Sequence, residues 1–144
     1  MKIEEIVEMW AVDTRIDSTE LASESLKIPG LHNKYYRIFI EERLRLKKME
    51  AEMKSLKLDK YEFYTLGPTK ESQEKGWQLP AKGIILKQDI PMYMDADKNM
   101  IDMNLKISYQ NEKVELLETI VKSISNRNFI IKNAIDWNRF VMGG

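Results

Sequence analysis

Apolar residues recur at helical spacing in the first part of the chain. The first set lies near the start: Ile3, Ile6, Val7 and Trp10. This set predicts a short amphipathic helix. Asp17, with Glu20 three residues later, predicts a capping box at the start of a second helix. Pro29 and Gly30 then predict a kink or a short turn, because proline lacks an amide hydrogen.

The longest helical pattern runs from Leu31 to Tyr64, a stretch without proline or glycine. Its members alternate between spacings of four and three residues: Tyr35, Phe39, Glu42, Leu46, Met49, Met53, Leu56, Lys60 and Phe63. This heptad pattern, with Glu42 and Lys60 as its polar members, predicts a long helix that packs against another helix. The partner helix can belong to the same chain or to another subunit.

The segment after this helix changes character. Residues 66–83 are rich in glycine and proline and predict a loop. The stretch "IILKQDIPMYM", residues 84–94, favours a strand, and Pro91 confines that strand to an edge or a bulge. We therefore expect a loop with a small β element, a hairpin or an extended arm, over residues 66–100.

Helical spacing returns after Leu105. One seam comprises Val114, Leu117, Val121 and Ile124. "SNRN" at 125–128 predicts a break, and a final short helix follows through Phe129, Ile131, Ala134, Ile135 and Phe140. The predicted fold is mainly α with a small β element. It forms one domain over residues 1–144, with helices within 3–64, the arm at 66–100 and C-terminal helices at 105–141.

Charge is unevenly distributed along the chain. The 23 basic and 23 acidic side chains cancel, so bulk charge argues for neither a nucleic-acid nor a membrane partner. Residues 1–26 nevertheless hold two bases against seven acids, and residues 34–60 hold nine bases against five acids. The chain has no cysteine and no apolar run typical of a signal peptide or membrane span. We expect a soluble cytoplasmic protein.

The sequence offers little support for catalysis, a metal or a cofactor. It has one histidine, His32, and no phosphate-binding glycine motif. "DADKN" at 95–99 imitates the start of a calcium loop. However, Met100 replaces the required glycine, and Lys106 replaces the bidentate glutamate. We interpret it as a helix-capping turn, and the chain is not expected to be an enzyme.

A basic stripe lies along the predicted central helix: Arg43, Lys47, Lys54 and Lys57, continued by Tyr61 and Tyr64. Single-stranded DNA pairs its phosphates with such cations and stacks its bases on aromatic rings. The alternative is an ordinary solvated face, since Glu50 interrupts the stripe and pairs with Lys54 at helical spacing. Spacing alone favours that alternative.

The order of several segments, among them "IDSTEL", "KIPGLHNKYYRIFIEERLRLKKMEAE", "LDKYEFYTLG" and "IVKSISNRNFIIKNAIDWNRF", resembles the UvsY-type recombination mediators of large tailed phages. The likeness covers nearly the full length. It implies a non-enzymatic protein that binds single-stranded DNA and helps load a RecA-like recombinase onto strands coated with single-strand-binding protein. It also implies a ring-like homo-oligomer of about six to seven subunits, in the cytoplasm of an infected bacterium. A coiled-coil structural or assembly protein of a phage particle is the alternative function.

The resemblance also implies site residues. In that family, DNA binding is associated with a Leu-Lys-Ala-Arg motif late in the central helix. Leu56 and Lys57 match its first two positions, whereas Leu58 and Asp59 depart from it. Lys54 or Lys60 can supply the missing charge. The predicted DNA-binding set is Arg43, Lys47, Lys54, Lys57, Lys60, Tyr61 and Tyr64.

The family's C-terminal segment drives assembly, according to the same resemblance. The residues this assigns to subunit contacts are Val114, Leu117, Val121, Ile124, Phe129, Ile131 and Ile135. Their apolar spacing fits an intramolecular core equally well, so both interpretations remain open.

Overall fold

The structure is a computed structural model that describes residues 1–83 and 85–143. Its elements are α1 (Ile3–Asp13), α2 (Leu21–Leu66), α3 (Lys70–Glu74), a 3₁₀ helix (Lys87–Asp89), α4 (Ile90–Asp95) and α5 (Lys98–Val141). The chain divides into a terminal unit, Met1–Leu44 with Asn111–Gly144, and a central unit, Arg45–Gln110. Both long helices contribute to each unit, so the predicted single domain stays a prediction.

The terminal unit is built around a helical core. Its buried apolar side chains come from α1, α2 and α5: Ile6, Tyr35, Phe39, Val114, Leu117, Ile120, Ile124 and Ile131. The ring of Trp10 meets Tyr35 edge-on, with centroids 5.3 Å apart. The predicted amphipathic first helix is confirmed. Glu42 of α2, a polar member of the heptad, is buried opposite Lys113 of α5 at 3.5 Å.

Arg127 holds three segments of the terminal unit together from within α5. Its guanidinium donates to the carbonyl oxygens of Asp13 at 3.0 Å and Arg15 at 2.9 Å, and to the Glu24 carboxylate at 3.4 Å. The break predicted at 125–128 is wrong, because α5 continues through it. The polar neighbours of Arg127 are exposed, so this stretch is solvated on one side and anchored by Arg127 on the other.

Of the kink or short turn predicted at Pro29, the turn is wrong and the kink stays a prediction. The helix continues through Pro29, which is exposed in its third turn. An interior proline costs a helix roughly 3 kcal/mol, and the nearby Ile28 and Leu31 are half-buried, so their packing favours the helix at this point. Asp17 accepts from the amide and the hydroxyl of Thr19, at 2.9 and 2.6 Å, and closes a turn there. The predicted capping box with Glu20 does not form, and α2 begins at Leu21.

The central unit buries apolar side chains from α2, α4 and α5: Leu46, Phe63, Ile90, Met94 and Met100. Asp97 caps α5, because its Oδ1 accepts from the Met100 amide at 3.0 Å. The interpretation of "DADKN" as a helix-capping turn is therefore confirmed.

The predicted β element is wrong for the residues that the structure describes, which contain no strand. Residues 87–95 form the 3₁₀ helix and α4 instead, while Ile84 lies outside the described residues. Pro91 stands in the first turn of α4, where a missing amide hydrogen costs nothing. Ile90 and Met94, four residues apart, are both buried on one helical face. The predicted loop at 66–83 also contains α3, which Thr69 caps through the Ser72 amide.

Candidate nucleic-acid interface

The predicted basic stripe lies on α2, and four of its cations are exposed: Arg43, Lys47, Lys54 and Lys57. Arg43 belongs to the terminal unit, where its guanidinium lies 5.1 Å from the centre of the Phe39 ring. The three lysines belong to the central unit. A phosphate can approach these exposed lysines without displacing a protein partner.

The central unit exposes two further cations on α2 that the stripe omits. Arg45 and Lys48 are both exposed, close to Lys47. They lie off the helical face that defines the stripe, so its spacing does not predict them. The only sequence feature that indicates them is the local excess of bases over residues 34–60. The acid Glu50 is exposed in the same segment, so this stretch of α2 is predominantly but not uniformly basic.

Lys60 requires a correction, because the structure places it inside the central unit. Its side chain is only 2 % exposed. Nζ lies 3.0 Å from Oδ2 of Asp97, 2.9 Å from Oδ1 of Asn99 and 3.7 Å from the centre of the Trp77 ring. A buried cation with a carboxylate and an aromatic face as partners is committed to the fold. The structure therefore places the charge of Lys60 inside the central unit and not on its surface.

Tyr64 also contributes to this internal cluster. Its hydroxyl donates to Oδ2 of Asp97 at 2.7 Å, and its ring lies against Phe63 and Tyr93. Burial, and then the hydrogen bond to the carboxylate, raise the pKa of Tyr64 well above its ordinary value. A ring held this way is a weaker candidate for base stacking than the sequence suggested.

Asp97 is the residue that joins the cluster to the start of α5. Burial by itself raises the pKa of Asp97, but the bonds from Tyr64, the Met100 amide and Lys60 lower it overall. The carboxylate is therefore charged at neutral pH. The sequence predicts a capping role for Asp97 but not its contact with Lys60. The signal available was a lysine at an apolar position of the heptad.

Tyr61 is the aromatic residue of the stripe that remains accessible, with 44 % of its surface exposed. No ring contact to Tyr61 occurs among the described residues, in contrast to Phe63 and Tyr64. Tyr61 lies with Lys54 and Lys57 on the wall of a groove of about 530 Å³ in the central unit. The structure thus brings these three members of the predicted set to one surface feature.

The residues predicted to join subunits are mostly core residues of the terminal unit. Val114, Leu117, Ile124 and Ile131 are buried within the single chain. Their apolar surface is already covered within one chain, which fits the intramolecular alternative, and their assignment to subunit contacts stays a prediction. Val121 and Ile135 are half-buried, and Phe129 is exposed.

An exposed apolar cluster lies instead in the later part of α5 and just beyond it: Phe129, Ile130, Trp137, Phe140, Val141 and Met142. The rings of Trp137 and Phe140 stack with centroids 5.7 Å apart. Exposed apolar groups of this density are typical of interaction surfaces. The sequence predicts a final helix that includes Phe140, but it predicts no contact for Phe140 or Trp137.

Other candidate chemistry finds little support. His32 stacks on Tyr36, with ring centroids 5.5 Å apart. Across residues 1–83 and 85–143, no three histidine, cysteine, aspartate or glutamate side chains group closely enough to hold a metal ion. None of the described helices has a long enough apolar stretch to span a membrane.

Comparison with solved structures shows the fold. Crystal structures of the bacteriophage T4 recombination mediator protein UvsY superpose over almost the whole chain. One, in lattice type II, has a TM-score of 0.80 at 22 % identity and covers 99 % of this chain and 98 % of that chain. Another, in lattice type IV, has a TM-score of 0.77 at 19 % identity and covers 97 % and 98 %. No curated protein matches the chain.

Residues 9–144 match the family model described as "Recombination, repair and ssDNA binding protein UvsY". The chain therefore belongs to the UvsY family.

Proposed function

We propose that this chain is a recombination mediator that binds single-stranded DNA and promotes loading of a RecA-like recombinase onto strands coated with single-strand-binding protein. It serves homologous recombination and recombination-dependent replication and repair, in the cytoplasm of an infected bacterium. Membership of a family described by recombination, repair and single-stranded DNA binding supports this proposal. The structural observation that carries it is the set of exposed cations on α2 beside the accessible ring of Tyr61.

The exposed cations supply an attraction that does not depend on DNA sequence. Phosphates pair with Lys47, Lys54 and Lys57, and release of condensed counterions drives the association. The chain has no net charge, so the attraction arises from the local excess of bases in α2. One subunit binds only a short stretch of strand weakly, whereas an oligomer binds several stretches at once and gains avidity.

Fluorescence anisotropy of a labelled oligonucleotide, titrated at several salt concentrations, tests the proposal. We expect stronger binding to single than to double strands, with affinity falling by about 0.7 log units per neutralised phosphate for each tenfold rise in salt. The double variant Lys54→Ala, Lys57→Ala should reduce the slope of log affinity against log salt concentration by about 1.4, because it loses two phosphate contacts. Lys98→Ala with Lys106→Ala removes the same charge from exposed positions of the central unit and serves as the control.

A flat salt response would contradict the electrostatic account. Equal losses in the two double variants would place the binding surface away from Lys54 and Lys57. A protein that assembles normally but binds no single strand would instead fit a structural protein of a phage particle. In the mediator reaction itself, the unmodified protein should restore recombinase filaments on coated strands, and the Lys54 and Lys57 variant should do so less well.

We also propose that the chain forms a ring-like homo-oligomer through the exposed apolar cluster of α5. Trp137 and Phe140 form its aromatic centre, and burying them against another subunit removes a large apolar area from water. Light scattering of the purified protein should give a mass several times the 17.0 kDa of one chain.

Replacing Trp137 and Phe140 by alanine should reduce that mass toward one chain while leaving the helix content unchanged. Val12→Ala with Leu26→Ala is the matched control, because both are exposed apolar residues of the same unit. An unchanged mass in the aromatic variant would move the subunit contact elsewhere.

A further inference from the structure

The groove in the central unit combines features that the proposed DNA binding does not by itself require. It occupies about 530 Å³, within the roughly 300 to 1,000 Å³ of pockets that take small molecules. Its apolar wall includes the buried side chains Ile90, Met94 and Met100. Leu58, on α2, adds an exposed apolar side chain. Apolar surface of this extent is not needed to bind phosphates.

We propose that this groove receives an unstacked nucleobase of single-stranded DNA while Lys54 and Lys57 hold the adjoining phosphate. The proposal rests on the proposed single-stranded DNA binding and adds the place where the base lies. A base has two flat apolar faces, which fit between the ring of Tyr61 and the apolar wall. Tyr61 has no aromatic partner among the described residues, so its face is available for stacking.

The charges along the groove favour a nucleotide over an apolar protein segment. Lys54 and Lys57 both line it and lie three residues apart on one face of α2. An apolar segment seated there would cover two ammonium groups without supplying an anion, which is costly. A nucleotide brings a phosphate and an apolar ring within one unit, so it satisfies both parts of the groove.

Asp95 gives the bound nucleotide a direction. Asp95 lines the same groove, and its negative charge repels phosphate, which therefore lies at the lysines. A carboxylate accepts N–H groups, and every DNA base carries at least one N–H on its Watson–Crick edge. That edge is free only in a single strand, so this contact selects single over double strands without selecting a sequence.

Two oligonucleotides of equal length and charge separate base binding from phosphate binding. One is oligo(dT), and the other has abasic sites in place of the bases. We expect the unmodified protein to bind oligo(dT) more tightly, and Tyr61→Ala or Leu58→Ala to weaken that binding about tenfold. The same variants should change abasic binding less than about twofold, since the phosphate contacts remain. Tyr109→Ala is the matched control, because Tyr61 and Tyr109 are each 44 % exposed and belong to the same unit.

A 2-aminopurine base within an oligonucleotide gives a second readout. Its fluorescence should be quenched on binding the unmodified protein and should recover in Tyr61→Ala, while circular dichroism shows the helices to be intact. If Tyr61→Ala and Leu58→Ala leave oligo(dT) binding unchanged, the groove holds no base. The same conclusion follows if they weaken abasic binding as much as oligo(dT) binding. Neither result would contradict the proposed DNA binding. If the unmodified protein binds neither oligonucleotide, the proposed function fails as well.

Discussion

The two units contain the same three residue types in the same contacts, at different depths. In the terminal unit, the Asp13 carboxylate accepts from Tyr35 at 2.8 Å and Lys34 at 2.6 Å. In the central unit, Asp97 accepts from Tyr64 at 2.7 Å and Lys60 at 3.0 Å.

The exposed fractions of the two ion pairs differ widely. The side chains of Lys34 and Asp13 are 44 % and 23 % exposed, whereas those of Lys60 and Asp97 are 2 % and 7 % exposed. Matching contacts therefore do not imply matching contributions to stability. Water competes for an exposed pair and screens it, so such a pair contributes little. A buried pair also gains little net free energy from forming, but removing one partner strands a charge in a poorly solvated place. The comparison predicts that substitutions in the central cluster cost more than their counterparts in the terminal cluster.

The largest expected effect is that of Lys60→Met. It leaves the Asp97 carboxylate without its cation, and the free energy of unfolding should fall by about 3 kcal/mol or more. Lys34→Met should cost less than about 1 kcal/mol, because its pair is exposed. Urea denaturation measures both. If the Lys60→Met protein were stable but bound DNA more weakly, Lys60 would belong to the DNA-binding surface and not to the stabilising cluster.

Arg127→Lys should have the next largest effect. Lysine keeps the charge but cannot reach both carbonyl oxygens and Glu24 with one ammonium group, because it lacks the planar fork of arginine. Losing bonds to a charged donor should lower the free energy of unfolding by about 2 kcal/mol. Lys122→Ala, at an exposed position of the same helix, should cost less than about 0.5 kcal/mol. Equal costs would show that the buried contacts of Arg127 are not important for stability.

Tyr64→Phe removes one hydrogen bond and keeps the ring. Because Asp97 retains Lys60 and the Met100 amide, the loss of stability should be about 1.5 kcal/mol. DNA affinity should be unchanged, since the hydroxyl points into the cluster. Thermal unfolding and anisotropy, measured on the same preparation, separate the two effects. A large loss of affinity at unchanged stability would place Tyr64 in the interface after all.

Acid should weaken both clusters in the same direction, and this is the smallest expected effect. The pKa values of Asp13 and Asp97 are both lowered, so the unfolded chain binds more protons than the folded chain near pH 4. Stability from these carboxylates is present above the ordinary value of 3.8 and is lost as the pH falls below it. Asp97→Asn and Asp13→Asn should each flatten the acid limb of the stability profile. Steeper acid loss in either variant would contradict the assigned direction of the shift.

Local rules predicted some elements and failed at others for identifiable reasons. The first helix, the heptad of α2 and the cap at Asp97 depend on residues close together in sequence, and all three appear. The turn at Pro29 and the break at 125–128 do not form, because tertiary packing on the same helix outweighs a local preference. The strand expected near Pro91 is helical: Ile90 and Met94 are buried, whereas Met92, which a strand would place on the same face, is exposed.

The candidate site also combines features that local sequence rules predict with features that tertiary packing decides. Sequence placed the excess of bases on α2 and the aromatic residues at its end, because charge and spacing can be counted along one chain. The sequence placed Lys60 on the apolar seam of the heptad but kept it in the DNA-binding set with Lys57, although Lys57 is exposed and Lys60 is buried. The family resemblance assigned core residues of α5 to subunit contacts, and spacing could not test that assignment, because an internal and an intermolecular seam have the same apolar spacing.

The amino-acid sequence by itself therefore determined the helical class, the basic segment of α2 and the family resemblance. Only the tertiary structure decided which lysines remain at the surface, which aromatic ring is accessible and where the groove lies. The physical reason is that burial depends on partners remote in sequence: Tyr64 and Asp97 are 33 positions apart. The spacing of residues along α2 contains no information about the Asp97 carboxylate. The contact of that carboxylate with Lys60 nevertheless removes one cation from the surface.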